Sequence, residues 1–208
     1  IILVIRYDGK HIANYEDNKR ILFKEDAKHF LFLENAYVEN KNQKKIIDTL
    51  GNTLVEGASQ IIYQNGIVVI EKNGKKGIMN YSGKWIVPTS QNFSSYSILD
   101  IGGEKYFLVR YKGNNKYRLI SNIGIDCLKS EYDLIESIGD SFVRIKLNGY
   151  YGIKNINGND VIPINRYYTS IDKYNSSKKT FAYTMPGYKG ECDATGRQIS
   201  KIKVATPK

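Results

Sequence analysis

Phe142 to Pro163 reads FVRIKLNGYYGIKNINGNDVIP. Two short β-prone runs meet at Asn148-Gly149, and a second reversal follows at Asn157-Gly158. Asn-Gly between apolar runs predicts a type I′ hairpin turn, because both central residues need positive φ. Two such turns in succession predict an antiparallel meander. The same pattern recurs along most of the chain. The turn glycine falls at Gly9, Gly51, Gly83, Gly124, Gly158 and Gly196, with successive gaps of 42, 32, 41, 34 and 38 residues. Spacing in this range marks a supersecondary unit repeated in tandem.

The expected fold is all-β: tandem four-stranded antiparallel meander repeats, arranged as a propeller or as an open β-repeat stack. Each unit reads as strands a to d. Strand a is an apolar run, as in Phe30-Leu31-Phe32-Leu33, Ile67 to Ile70, Phe107-Leu108-Val109 and Phe142 to Ile145. Near-continuous apolarity predicts burial on both faces. Strand b leads to the turn glycine and strand c follows it, as in Trp85-Ile86-Val87 and Val161-Ile162. Pro88 and Pro163 then end strand c, since proline cannot donate to a ladder. Strand d is more polar, as in Tyr132 to Ile135 and Tyr168 to Ile171, and suits a solvent-facing edge. Helical periodicity is absent; Glu16 to His29 is the best candidate and lacks an apolar face. The whole chain, 1–208, is expected to be one domain of about six units, with the first and last incomplete. Those incomplete ends, b at one and c at the other, are not complementary, so ring closure stays open.

Hydrophobic residues make up 41% and charged residues 25%, which fits a globular chain rather than a disordered one. Tyrosine stands out at 17 against 7 Phe and 1 Trp, as suits strands with one buried and one wet edge. The net charge of +10 favours anionic partners. The lysines are dispersed, however. Lys44 with Lys45, Lys72 with Lys75 and Lys76, and Lys178 with Lys179 fall at or beside predicted turns, where solvation alone accounts for them. No apolar run is long enough to span a membrane. The opening IILVIRYDG lacks Met and a cleavage site, so it reads as a trimmed or processed start, and export or the cell envelope is favoured over the cytoplasm.

Unit cores such as NGYYGIKNINGNDVIP and NGKKGIMNYSGKWIVP resemble the bacterial WG-repeat family. That family's pattern is an aromatic-Gly pair, a turn with Gly-Lys, and an apolar strand ending in Pro. The pair stands here as Tyr151-Gly152, with Lys76-Gly77, Tyr117-Arg118 and Lys189-Gly190 in other copies. The resemblance implies a β-repeat scaffold attached to other domains that binds a partner, with no catalytic residues and no cofactor. The glycine also has a structural role, letting a neighbouring ring or backbone approach closely.

Enzyme signatures are sparse. His11 and His29 have no Cys or carboxylate at triad or metal-site spacing. Ile101-Gly102-Gly103-Glu104 suits a turn, not a phosphate loop, and Asp133, Glu136 and Asp140 suit a hydrated turn. The expected function is a non-enzymatic scaffold binding a protein or glycan through its repeat loops, with Tyr150, Trp85 and Tyr188 as candidates for stacking. For Trp85 a place in the core is favoured over stacking. The alternative is electrostatic binding of nucleic acid, which needs the lysines gathered on one face. No catalytic or metal residue is assigned. Cys127 and Cys192 lie two units apart, roughly 20 Å at about 10 Å per sheet, so both are expected as free thiols.

Overall fold

The computed structural model describes the backbone of residues 12–16, 19–23, 27–31, 35–40, 43–48, 52–164 and 167–204, with side chains at 44–46, 52–164 and 167–204. Gly9, Gly51, His11, Phe32 and Leu33 lie outside the described residues, as does the side chain of His29. The described chain is nearly all β. One turn of 3-10 helix, Thr89–Gln91, follows Pro88. Glu16 to His29 contributes strand residues instead of a helix.

The chain forms two compact units, Ile1–Asn92 and Phe93–Lys208. In the first, β1 (Ile12–Glu16) pairs with β2 (Lys19–Phe23). A four-stranded antiparallel sheet follows from β3 (Ala27–Leu31), β4 (Asn35–Asn40), β5 (Gln43–Asp48) and β6 (Thr53–Ala58). A second joins β7 (Gln60–Gln64), β8 (Ile67–Lys72), β9 (Lys75–Asn80) and β10 (Trp85–Val87). Ile46, Val55, Val68, Ile70 and Met79 form this unit's core. Lys44 and Lys45 lie half-buried near the start of β5, beside the β4–β5 reversal closed by Asn40 and Gln43.

The second unit begins with three strands: β11 (Phe93–Ile101), β12 (Glu104–Tyr111) and β13 (Tyr117–Ser121). A fourth is reduced to a bridge between Ile120 and Asp126. Two four-stranded sheets follow. One is β14 (Leu134–Ser137), β15 (Phe142–Leu147), β16 (Tyr150–Asn155) and β17 (Asp160–Ile162). The other is β18 (Ser170–Ile171), β19 (Thr180–Met185), β20 (Tyr188–Asp193) and β21 (Gln198–Lys203). One core cluster centres on Leu119, Ile135, Val143 and Ile145, and another on Ile153, Ile162, Ile171 and Phe181.

Strand order departs from the sequence reading in two respects. Phe30-Leu31, read as part of a strand a, lies in β3 at the outer position of its sheet, and β4 takes the place of a. The polar strand d hairpins onto the strand a that follows it, so each sheet runs d-a-b-c. The d–a turns explain this. Asn65-Gly66 (φ 51° and 83°) and Gly102-Gly103 (φ 62° and 82°) are tight left-handed turns, whereas proline interrupts the chain after c. Strand a is buried on both faces at Ile67 to Ile70. At Phe142 to Ile145 the burial alternates, because Arg144 points between sheets.

One turn recurs at four b–c reversals. The glycines Gly83, Gly124, Gly158 and Gly196 have φ of 83°, 85°, 83° and 80°. Three residues earlier stand Asn80, Ser121, Asn155 and Asp193, and each side chain accepts a backbone amide across the turn. Lys84 N donates to Asn80 Oδ1 at 2.8 Å, Ile125 N to Ser121 Oγ at 3.0 Å, Asn159 N to Asn155 Oδ1 at 3.0 Å, and Arg197 N to Asp193 Oδ1 at 3.0 Å. These short acceptors hold the reversal that glycine permits.

Two close approaches set sheet spacing in the second unit. A Cβ on Gly158 would sit 2.6 Å from the Cys127 carbonyl, and one on Gly196 would overlap the Val161 carbonyl. Cys127 and Val161 each follow the preceding sheet's turn glycine by three residues. The strand-b glycines are equally confined. A Cβ on Gly77 would meet Trp85 Cζ3 at 2.6 Å, and one on Gly152 the Ile162 carbonyl at 2.7 Å. The glycine of the aromatic-Gly pair thus admits a ring or a backbone, as the sequence reading expected.

Both cysteines are buried free thiols, in different clusters. Burial, with Asp126 adding to it, pushes the Cys127 thiol above its ordinary value and keeps it protonated.

Gly152→Ala is expected to destabilise the protein by about 2 kcal/mol through overpacking, read as a lower urea midpoint at unchanged m-value. An unchanged midpoint would refute the close approach. Thiol reagent should label two cysteines per chain only after unfolding; rapid labelling of the native protein would contradict their burial. In the exposed 193–197 turn, Thr195 Oγ1 and the amides of Thr195 and Arg197 hold the Asp193 carboxyl at a pKa of about 2. A depressed carboxyl contributes stability above its unfolded value, and that contribution fades as pH falls through about 2. The Thr195 and Arg197 amide resonances should therefore hold to pH 3 and shift below it, whereas titration near pH 4 would show the turn to be open.

Candidate interaction edge

The a–b hairpins of the second unit are drawn along one edge by the segments that return from strand c. Tyr132 exchanges backbone hydrogen bonds with Tyr117, and Asp133 N donates to the Lys146 carbonyl at 2.9 Å. Asp133 Oδ2 also accepts the Asn148 amide at 2.7 Å, and its other oxygen lies 3.7 Å from Lys116 Nζ. The 129–134 segment therefore ties the hairpin after β12 to the hairpin after β15. The next return repeats this. Tyr151 N donates to the Tyr168 carbonyl, and Thr169 N to the Thr184 carbonyl, each at 2.9 Å.

The aromatic side chains of this edge divide into two sets. Tyr132 and Tyr168 are buried, and Tyr168 stacks on Tyr183 with ring centroids 4.4 Å apart. Tyr150 and Tyr167 face outward at 37% and 57% exposure. Their rings meet edge to face, with centroids 5.1 Å apart and planes at 83°. Tyr167 has φ 60°, a left-handed backbone that bulky side chains rarely adopt. Tyr150 comes from the start of β16, set by the Asn148-Gly149 turn (φ 53° and 90°). Lys146 Nζ lies 5.0 Å from the ring centre of Tyr151, its register partner.

The other sequence candidates separate. Trp85 is half-buried and packs on the first unit's core, filling the space Gly77 leaves. Tyr188 is half-buried under the Lys201 ammonium at 4.3 Å. Asp133 serves the hairpins, and Glu136 is engaged by Arg144 Nε at 2.9 Å. Asp140 sits in the d–a turn with φ 47°. Gly102-Gly103 forms a hairpin turn whose Gly103 amide donates to Asp100 Oδ1. Lys72, Lys75 and Lys76 flank the Asn73-Gly74 turn, and Lys178 and Lys179 are exposed beside a reversal.

Among the described residues, no group of three or more His, Cys, Asp or Glu side chains is placed to hold a metal ion. No described helix is long and apolar enough to cross a membrane. What this edge offers chemically is exposed aromatic area and solvated ammonium groups. Sequence reasoning found Tyr150 and missed Tyr167, which follows no turn signal.

No protein-family model matches the chain, and no curated protein matches it. A solved structure described as "KlHsv2 with loop 6CD replaced by a Gly-Ser linker" is similar over 95% of this chain and 75% of its own, with 10% identity and a TM-score of 0.30.

Proposed function

We propose that this chain is a non-enzymatic β-repeat interaction scaffold of the WG-repeat kind, in which tandem meanders present equivalent hairpins along one edge to a protein or glycan partner. Repetition supports the reading: four b–c turns share one hydrogen-bond pattern, and two successive returns tie neighbouring hairpins in the same way. The observation that carries it is the Tyr150–Tyr167 pair. Exposed tyrosines offer rigid amphipathic area at low entropy cost, which is why they are enriched at recognition surfaces. Holding Tyr167 in a left-handed conformation costs about 1–3 kcal/mol, and such strain gathers at ligand sites.

The Tyr150→Ser/Tyr167→Ser double variant keeps the fold, because both rings are exposed. Wild-type protein should retain a partner on a glycan array or in an affinity pull-down. The double variant should bind that partner at least tenfold more weakly, with an unchanged far-UV circular dichroism spectrum. Empty results on both assays would sink the proposal, as would a partner indifferent to the substitutions. Tight binding of a labelled oligonucleotide, lost steeply with added salt, would replace it with nucleic-acid binding.

A further inference from the structure

The three sheets of the second unit align on their turn acceptors, Ser121, Asn155 and Asp193. Two residues before each stand Leu119, Ile153 and Glu191. Strand register then gives one row of side chains across each sheet. In the first sheet the row is Ser97, Leu108 and Leu119. In the second it is Glu136, Arg144, Ile153 and Ile162. In the third it is Asp172, Ala182, Glu191 and Ser200, with the Asp172 amide donating to the Ala182 carbonyl at 2.9 Å. The second row meets the sheet that follows it. Ile153 and Ile162 share a core with Ile171 and Phe181, and Arg144 binds Glu136 while reaching the Ile171 carbonyl. The third row lines a cleft of about 440 Å³ instead.

Three exchanges give this cleft its chemistry. Glu191 and Ser200 stand where Ile153 and Ile162 stand one sheet earlier, so a core face has become polar. Ala182 takes the place of Arg144, which removes the cation. Asp172 keeps the carboxylate of Glu136, and among the described residues no side chain is paired with it. Glu191 is held loosely, with Lys178 Nζ at 4.0 Å and that lysine 66% exposed. Both carboxylates line the cleft on either side of Ala182. They stand on strands β18 and β20, so their Cα atoms are roughly 10 Å apart with only a methyl group between. Lys189 and Ile202 face each other one row along, and both also line the cleft.

We infer that this cleft receives an arginine side chain of a protein partner, in the place that Arg144 fills one sheet earlier. The guanidinium lies over Ala182 between the two carboxylates. It presents its Nε–Nη edge to Asp172, as Arg144 presents Nε and Nη2 to Glu136. The methylenes of the incoming residue cover Ile202, and Lys189 is left to donate to its backbone carbonyl. A lysine would bring the charge without the planar fork, so the site selects by shape as well as by sign. The face is separate from the tyrosine edge, and neither needs the other.

The probe is N-acetyl-arginine N-methylamide, titrated into ¹⁵N-labelled protein beside the matching lysine and citrulline compounds and free arginine. The arginine compound should shift the backbone amide resonances of Asp172, Ala182, Glu191 and Ser200. It should bind at least fivefold more tightly than the lysine or citrulline compound. Asp172→Asn/Glu191→Gln changes two solvent-accessible groups and should lower arginine binding to the citrulline level. Ala182→Arg supplies the guanidinium from within the sheet and should abolish binding. If Ala182→Arg fails to fold, the carboxamide pair decides alone. The inference is overturned if citrulline or lysine binds as tightly as arginine, or if the carboxamide pair binds arginine as wild type does. Free arginine binding at least tenfold more tightly than the capped compound would also overturn it, in favour of an amino-acid site. So would the absence of any shift at these four residues at about 50 mM.

Discussion

Gly158 and Gly196 bring sheets of the second unit closer than any other residue type would allow. Each occupies a position where a Cβ would press into the carbonyl of the preceding sheet's strand c. Two demands coincide there: a φ near 80°, and no space beyond Cα. The acceptor three residues earlier then makes the reversal specific, bonding the amide on the far side of the glycine. With turn and approach set together, successive sheets meet at one offset. Large apolar residues such as Ile145, Ile153, Ile162 and Phe181 close the space between them. Tyrosine fits the same scheme. A buried ring with a hydroxyl at its rim can reach a carbonyl, as Tyr183 does at Ser200.

What could be read from sequence follows from which demands are local. Positive φ is a property of one residue, so the Asn148-Gly149 turn and the spaced glycines were visible directly, whereas at Asn157-Gly158 only the glycine is left-handed and the turn is not the type I′ expected. The strand-b glycines were visible because a neighbouring bulky residue needs room. Strand membership is not local. A polar run such as Tyr168 to Ile171 carries no mark of which sheet will accept it, and in fact it serves two. Tyr168 bridges back to Tyr151, while Ser170 and Ile171 pair forward with β19. Proline after strand c shows that the ladder stops, not where the chain rejoins one.

The candidate sites lie where residue type departs from local expectation. Nothing in the sequence marks Tyr167 as left-handed, since the rule for that conformation selects glycine, asparagine or aspartate. Its neighbour Tyr168 hides it further, because two adjacent tyrosines look alike until one turns inward. Corresponding positions of neighbouring sheets hold Leu108 with Ser97 and Arg144 with Glu136, so one sheet pair is bolted where the other is left hollow. A repeated backbone tolerates such exchange, since the turns and glycines keep the spacing whatever fills the wedge.

The charge excess divides along the same lines. Arg118 and Arg144 are partly buried beside carboxylates and aromatic rings, where a planar guanidinium can pair and stack at once. Lysine mostly lies outside, on the Asn73-Gly74 hairpin and along β21, where Lys201 and Lys203 hold an edge strand wet. Lys154 is an exception, its side chain only 12% exposed and its ammonium shared between Asp160 and the Gly158 carbonyl. That contact fastens the turn whose glycine abuts the preceding sheet. The net +10 is therefore a sum of two populations with different roles. Arg118 and Arg144 join strands and sheets. The solvated lysines of turns and edges discourage strand-to-strand aggregation.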